Sequence, residues 1–258
     1  MEFERHCELI VEQSELLADH LSGSDLGTPV PSCPGWNVGQ LVRHLGGAHR
    51  EATVIARTGV APPDDTFRDP THWYRDPAER TAAAVQELRD WMTAGARELA
   101  KTLLEVGPDV PIVMPIERPT TRFTARRMAY ETAIHRADAA LALGVPYVLD
   151  VDAAADAVDE WMELGALPLH FEVHPWMREL LAPGRTVGFH ATDLEVTWTV
   201  DLTGDAIRWA RSSQGTAKGE VSGPVTELLL VLYKRRPALE VHGDSDLLDY
   251  YLERVSFG

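Results

Sequence analysis

Glu131 and His135 stand four residues apart in the run Arg127-Met128-Ala129-Tyr130-Glu131-Thr132-Ala133-Ile134-His135-Arg136-Ala137-Asp138. On a helix they lie about 40° apart, and Asp138 lies within about 60° of both. A carboxylate and an imidazole one turn apart can reach a single metal ion together. Tyr130, Ala133, Ile134, Ala137 and Leu141 fall in a different sector, so an apolar face runs beside the Glu–His–Asp stripe. The same spacing also fits an exposed ion pair on a solvated helix. Asp138 either orients His135 from behind or faces solvent.

A third ligand type comes from Ser32-Cys33-Pro34-Gly35-Trp36-Asn37-Val38-Gly39-Gln40-Leu41-Val42-Arg43-His44-Leu45. His44 flanks an apolar stripe of Leu41, Leu45, Ala48, Ala52 and Ile55. His49 lies on the other flank and is not expected to share a target with His44. Alone, His44 also fits a hydrogen-bonded core histidine. Two histidines and a carboxylate with an open fourth position form the pattern of a catalytic metal site. Such N/O ligands favour Zn²⁺, with Ni²⁺, Fe²⁺ and Mn²⁺ as alternatives. The pair His170 and His174 is a weaker rival on a short helix.

These residues need elements to carry them. Helical spacing predicts a helix from Phe3 to Leu21 and a second one capped by Asn37, with Gln40 completing a capping box and Gly59 ending it. Asp76-Pro77-Ala78-Glu79 predicts the start of a third helix running to about Leu104. A fourth is expected from Thr121 to Leu143, closed by Gly144, and a further one capped by Asp152. Four long helices in a segment of this size imply a helix bundle. After Pro183-Gly184 the pattern alternates, as strands do: Val187 to Ala191, Glu195 to Leu202, Ala206 to Arg211 and Ala217 to Val221. A helix opening at Pro224, a strand at Leu239 to His242 and a short helix at Ser245 to Arg254 complete an α+β segment. The fold class is therefore α+β in two domains, 1–182 helical and 183–258 small and mixed.

Composition limits the function. The 258 residues carry 24 Lys+Arg against 40 Asp+Glu, a formal net charge of −16. Phosphates would be repelled, so nucleic acid is not an expected partner. No run approaches the length of a membrane span and no secretory start is visible, so a cytoplasmic protein is expected. Cys7 and Cys33 are too few for a disulfide framework or a cysteine-rich zinc module. Cys33, just before Pro34, reads as a structural or incidental thiol. Nucleotide-binding glycine motifs, a Gly-x-Ser-x-Gly elbow and a His-Glu-x-x-His helix are all missing from the sequence.

The run Pro-Gly-Trp-Asn-Val-Gly-Gln-Leu-Val-Arg-His-Leu (34–45), followed by Glu-x-x-x-His-Arg-x-Asp (131–138), resembles the mycothiol-dependent maleylpyruvate isomerase family. The resemblance implies a DinB-like metal-binding four-helix bundle with a small sterol-carrier-like domain after it. It implies metal ligands at His44, Glu131 and His135, and mycothiol, a low-molecular-weight thiol, as cosubstrate. Tyr130 stands where members often place a histidine. The family's Gly-Arg pair near the C-terminal helix is replaced by Tyr233-Lys234-Arg235-Arg236, where Arg235 or Arg236 could clamp an anion or simply end a helix.

The implied chemistry is that of a thiolate formed at the metal. It could add to an activated double bond, allow rotation and leave, or attack an electrophile and stay. The expected function is thus a thiol-using isomerase or S-transferase acting on a small electrophilic metabolite, as a monomer or small homo-oligomer. The alternatives are a non-catalytic binding or regulatory bundle and a thiol-independent metal hydrolase.

Overall fold

The structure is a computed structural model that describes residues 1–62, 76, 80–213 and 215–255. The chain divides into two compact units, Met1–Val148 and Leu149–Gly258.

The first unit is built from four long helices: α1 (Phe3–His20), α2 (Val38–Thr58), α3 (Ala82–Val106) and α4 (Thr121–Leu143). α1 packs on α3 and α4, and α2 packs on the same two helices. The core at one end gathers Leu17, Leu21, Leu26, Val38, Leu41, Leu45, Leu88 and Met92, with Trp36 and Trp91 packed against it. Local signals set the helix ends as expected. Asn37 accepts from the Gln40 backbone N–H while the Gln40 side chain accepts from the Asn37 N–H, so the capping box is closed in both directions. Gly59 and Gly144 take the left-handed conformation that terminates α2 and α4.

Three expectations shift. α3 begins at Ala82, capped by the Thr81 side chain on the Ala84 N–H. The start expected at Pro77 falls at residues 77–79, outside the described residues, and neither Arg80 nor Thr81 is helical. The helix after α4 is capped by Asp150, not Asp152, because the Asp150 carboxylate accepts from the Ala153 N–H. On α2 the buried face includes Val42, Leu45, His49, Ala52 and Ala56, while His44, Ala48 and Ile55 are only half-buried. A helix pressed between two neighbours buries a wider face than a single stripe, which leaves His44 at its rim.

The second unit contains α5 (Val151–Gly165), α6 (His170–Val173), a 3₁₀ turn (Pro175–Leu180), then β1 (Thr186–Ala191), β2 (Val196–Asp201), β3 (Arg208–Ser212), β4 (Gly219–Gly223), α7 (Val225–Leu232), β5 (Glu240–Gly243) and α8 (Ser245–Arg254). The strands form one mixed sheet in the order β3-β2-β1-β4-β5. β1 pairs antiparallel with β2 and parallel with β4, and Phe189 faces Trp198 across the first pair. The apolar helix α7 packs on α5, β1 and β4.

The division between units falls at 148/149, whereas the switch from helical to strand patterning lies near 183. The reason is α5. It packs on α7, and its Asp159 accepts from Trp198 Nε1 and from Arg211, both at 2.6 Å. A helix that follows a bundle in sequence is here a covering layer of the sheet. The architecture is a helical N-terminal region followed by a small mixed-sheet region, the α+β class expected.

Candidate metal centre

Two helices of the first unit supply the site. The capping box fixes where α2 starts, and His44 follows Asn37 by two turns. Its ring rests 5.0 Å, centroid to centroid, from Trp36, which limits its rotation. On α4, Glu131 and His135 are successive rungs of one face, as the spacing predicts.

The three groups meet. His135 Nε2 lies 3.1 Å from Glu131 Oε1, and His44 Nε2 lies 3.6 Å from the same oxygen. One ligand atom from each of the three residues lies within 4.8 Å of the others. Two ligand atoms bound at about 2.1 Å around a tetrahedral ion sit roughly 3.4 Å apart, so the two measured spacings bracket what one cation needs. The donors are two imidazoles and one carboxylate, a set suited to a divalent transition ion. His135 is 11% exposed and Glu131 25%, so the pair is partly buried and is no solvated surface ion pair.

The groups behind these three are equally ordered. Arg127 donates to Glu131 Oε2 at 2.8 Å and leaves Oε1 turned toward the histidines. Asp138 is fully buried, and its Oδ2 lies 2.9 Å from His135 Nδ1. Of the two roles open to Asp138 in the sequence, the structure places it behind His135. Ser32 donates to Asp138 Oδ1 at 2.6 Å, and Cys33 Sγ lies 3.5 Å from Oδ2. Cys33, His135 and Asp138 form a second group of ligand-type atoms that share His135 with the first.

Charge follows geometry. Burial pushes Glu131 up, yet His135, His44 and Arg127 hold its carboxyl well below the usual carboxylate range. Burial pushes His135 down, yet Glu131, Asp138 and Cys33 hold the imidazole well above its usual value. Glu131 and His135 therefore hold one another in their charged forms.

Other candidates lie elsewhere. His49 is fully buried and turns to Thr132, with Nε2 2.9 Å from Oγ1, so it does not join His44. His170 and His174 stack with centroids 6.4 Å apart, but His170 Nε2 meets the Leu164 carbonyl. Among the described residues they belong to no group of three metal-ligand types. Arg235 and Arg236 belong to the second unit. There Arg236 holds both oxygens of Glu227 at 2.9 Å, and Arg235 donates to the Tyr233 carbonyl. Arg127, Ser32 and Cys33 join the site in the structure beyond the residues that the sequence motifs mark. Arg127 was legible as the residue four before Glu131. No local signal joins Ser32 to a residue on α4.

A family model described as the mycothiol maleylpyruvate isomerase N-terminal domain matches residues 7–140. Among solved structures, the chain is similar to a mycothiol-dependent maleylpyruvate isomerase at 14% identity and a TM-score of 0.57, covering 90% of this chain and 88% of that one. A histidine-to-alanine mutant of such an isomerase aligns at 13% identity and a TM-score of 0.54 over the same shares. At these identities the structures speak for the fold alone. No curated protein matches in sequence. Among the described residues no helix is long and apolar enough to cross a membrane.

Proposed function

The chain belongs to the mycothiol maleylpyruvate isomerase family, and on that footing we propose that it is a metal-dependent enzyme using a low-molecular-weight thiol, mycothiol in the first instance, to isomerise a small electrophilic metabolite. S-transfer to such an electrophile is the variant in which the thiol stays on. The observation that carries the reading is the meeting of His44, Glu131 and His135, each with one ligand atom within 4.8 Å of the others. His44 Nε2, Glu131 Oε1 and His135 Nε2 would hold a divalent cation, Zn²⁺ being the best fit to the donors. Its bound charge would keep an incoming thiol deprotonated near neutral pH.

The protein's own residues do the positioning. Arg127 fixes the plane of Glu131. Asp138 accepts the Nδ1 proton of His135, which leaves Nε2 as the donor nitrogen. Trp36 limits the ring of His44. Neither Cys7 nor Cys33 is required as a nucleophile, since the sulfur arrives with the cosubstrate.

The test is metal analysis of freshly purified protein, followed by turnover assays on activated cis-alkene acids with and without mycothiol. Stoichiometric metal and strict thiol dependence are expected. His135→Ala should lose most of the metal and all thiol-dependent turnover while keeping its helical content. Full metal content in that variant would refute the assignment. Thiol-independent turnover that releases two cleavage products would point to hydrolysis by a metal-bound water instead.

A further inference from the structure

We propose that Ser32, acting through Asp138, and Cys33, acting through Asp138 and its own approach to His135, are positioning residues for the metal trio. The proposal rests on the cation reading of His44, Glu131 and His135. Asp138 is completely buried on α4, and a buried carboxylate is costly unless donors surround it. Ser32 Oγ reaches Oδ1 at 2.6 Å from 106 residues away in sequence. Cys33 Sγ approaches Oδ2 at 3.5 Å, and His135 Nδ1 meets that same oxygen at 2.9 Å. With both oxygens engaged, the carboxylate cannot turn without breaking a bond. A fixed carboxylate fixes the proton on His135 Nδ1, and so commits Nε2 to the side where Glu131 lies 3.1 Å away.

The same loop also controls the other histidine. It runs through Trp36, packed on His44, and through Asn37, the cap that starts α2. One loop thus sets both imidazoles, His135 from behind and His44 through the helix it opens. Its Ser-Cys step ties the approach to α2 to Asp138 on α4.

The experiment is a chelator-competition titration with Co²⁺ on the full chain, comparing wild type with Ser32→Ala, Ser32→Thr and Cys33→Ala, together with visible spectra at full occupancy. Ser32→Ala should weaken cobalt binding roughly tenfold, the low end for loss of a group that orients a ligand. Ser32→Thr keeps the hydroxyl and should restore it. Cys33→Ala should cost less, because a thiol is a weak donor. The cobalt bands should shift in Ser32→Ala and return in Ser32→Thr, a change that general loss of stability does not produce. Unchanged affinity and spectrum in Ser32→Ala overturn the proposal. So does a cobalt–thiolate charge-transfer band in the wild type that vanishes in Cys33→Ala, since Cys33 would then be a ligand. If Ser32→Ala does not fold, the Cys33→Ala comparison decides. A wild-type protein that binds no cobalt would instead sink the cation reading, and this proposal with it.

Discussion

The imidazole planes of His44 and His135 stand at 89° with their centroids 5.1 Å apart. Each ring comes from a different helix and each is restrained from behind, one by Trp36 and the other by Asp138. Crossed rings let two nitrogen lone pairs converge from different directions, as ligands of a tetrahedral ion must. Stacked rings would not.

Arg127 donates to the second oxygen of Glu131 at 2.8 Å. Glu131→Gln should abolish most metal retention, because a neutral amide replaces the anionic ligand. Arg127→Met keeps the aliphatic stem but drops the guanidinium, and should weaken binding roughly tenfold. Competition against a chromophoric chelator measures both. Equal affinity in Arg127→Met and wild type would show that the carboxylate orients itself.

His49 should make the fold acid-sensitive. Burial first, and the Arg50 charge next, hold its imidazole down at about 3. In the unfolded chain the same ring titrates near 6.5. Between those values the unfolded state binds more protons. The His49 contribution is therefore intact above about pH 6.5 and is lost as the pH falls toward 3, by at most about 1.4 kcal/mol per pH unit. Urea melts from pH 7 to 4 should show a shallower loss in His49→Gln, which can still donate to Thr132. Parallel pH profiles for the two proteins would contradict this.

Gly46 should tolerate no side chain. A Cβ there would lie 2.1 Å from the Trp91 ring. That ring cannot retreat easily, because the Arg43 and Arg50 guanidiniums stand over it at 4.1 and 3.7 Å from its centroid. Gly46→Ala should cost about 1–3 kcal/mol of stability, the usual range for overpacking. The change is read from denaturant midpoints and should outweigh the small gain in helix propensity.

The second unit should depend on α5. A fragment spanning 149–258 should keep its sheet and a cooperative thermal transition, whereas 183–258 should not, because it lacks the helix that covers α7 and carries Asp159. Circular dichroism of the two fragments separates them. A folded 183–258 fragment would favour the boundary expected from patterning.

What the sequence shows well is what neighbouring residues decide. The Asn37–Gln40 box, the glycines at 59 and 144, and the one-turn spacing of Glu131 and His135 are local and appear in the structure as expected. The five strands also begin within a few residues of the alternating runs. Asp150 displaced Asp152 as a cap because both carry the right side chain, and only backbone direction chooses between them. Strand patterning marks where secondary structure changes, but the compact unit begins earlier, since packing of α5 on α7 leaves no local mark. The Ser32–Asp138 bond spans the loop before α2 and the far end of α4, and no periodicity joins them. The width of the buried face of α2, and so the central place of His49, depends on two packing partners at once.

The closed capping box of α2 has a consequence for how this chain can change over time. Because the helix is pinned at Asn37, adding or deleting one residue before His44 would swing that ring by about 100° around the axis. The same holds between Glu131 and His135. Related proteins that retain the site should therefore keep these two intervals free of gaps, while length variation gathers in the stretch joining α2 to α3.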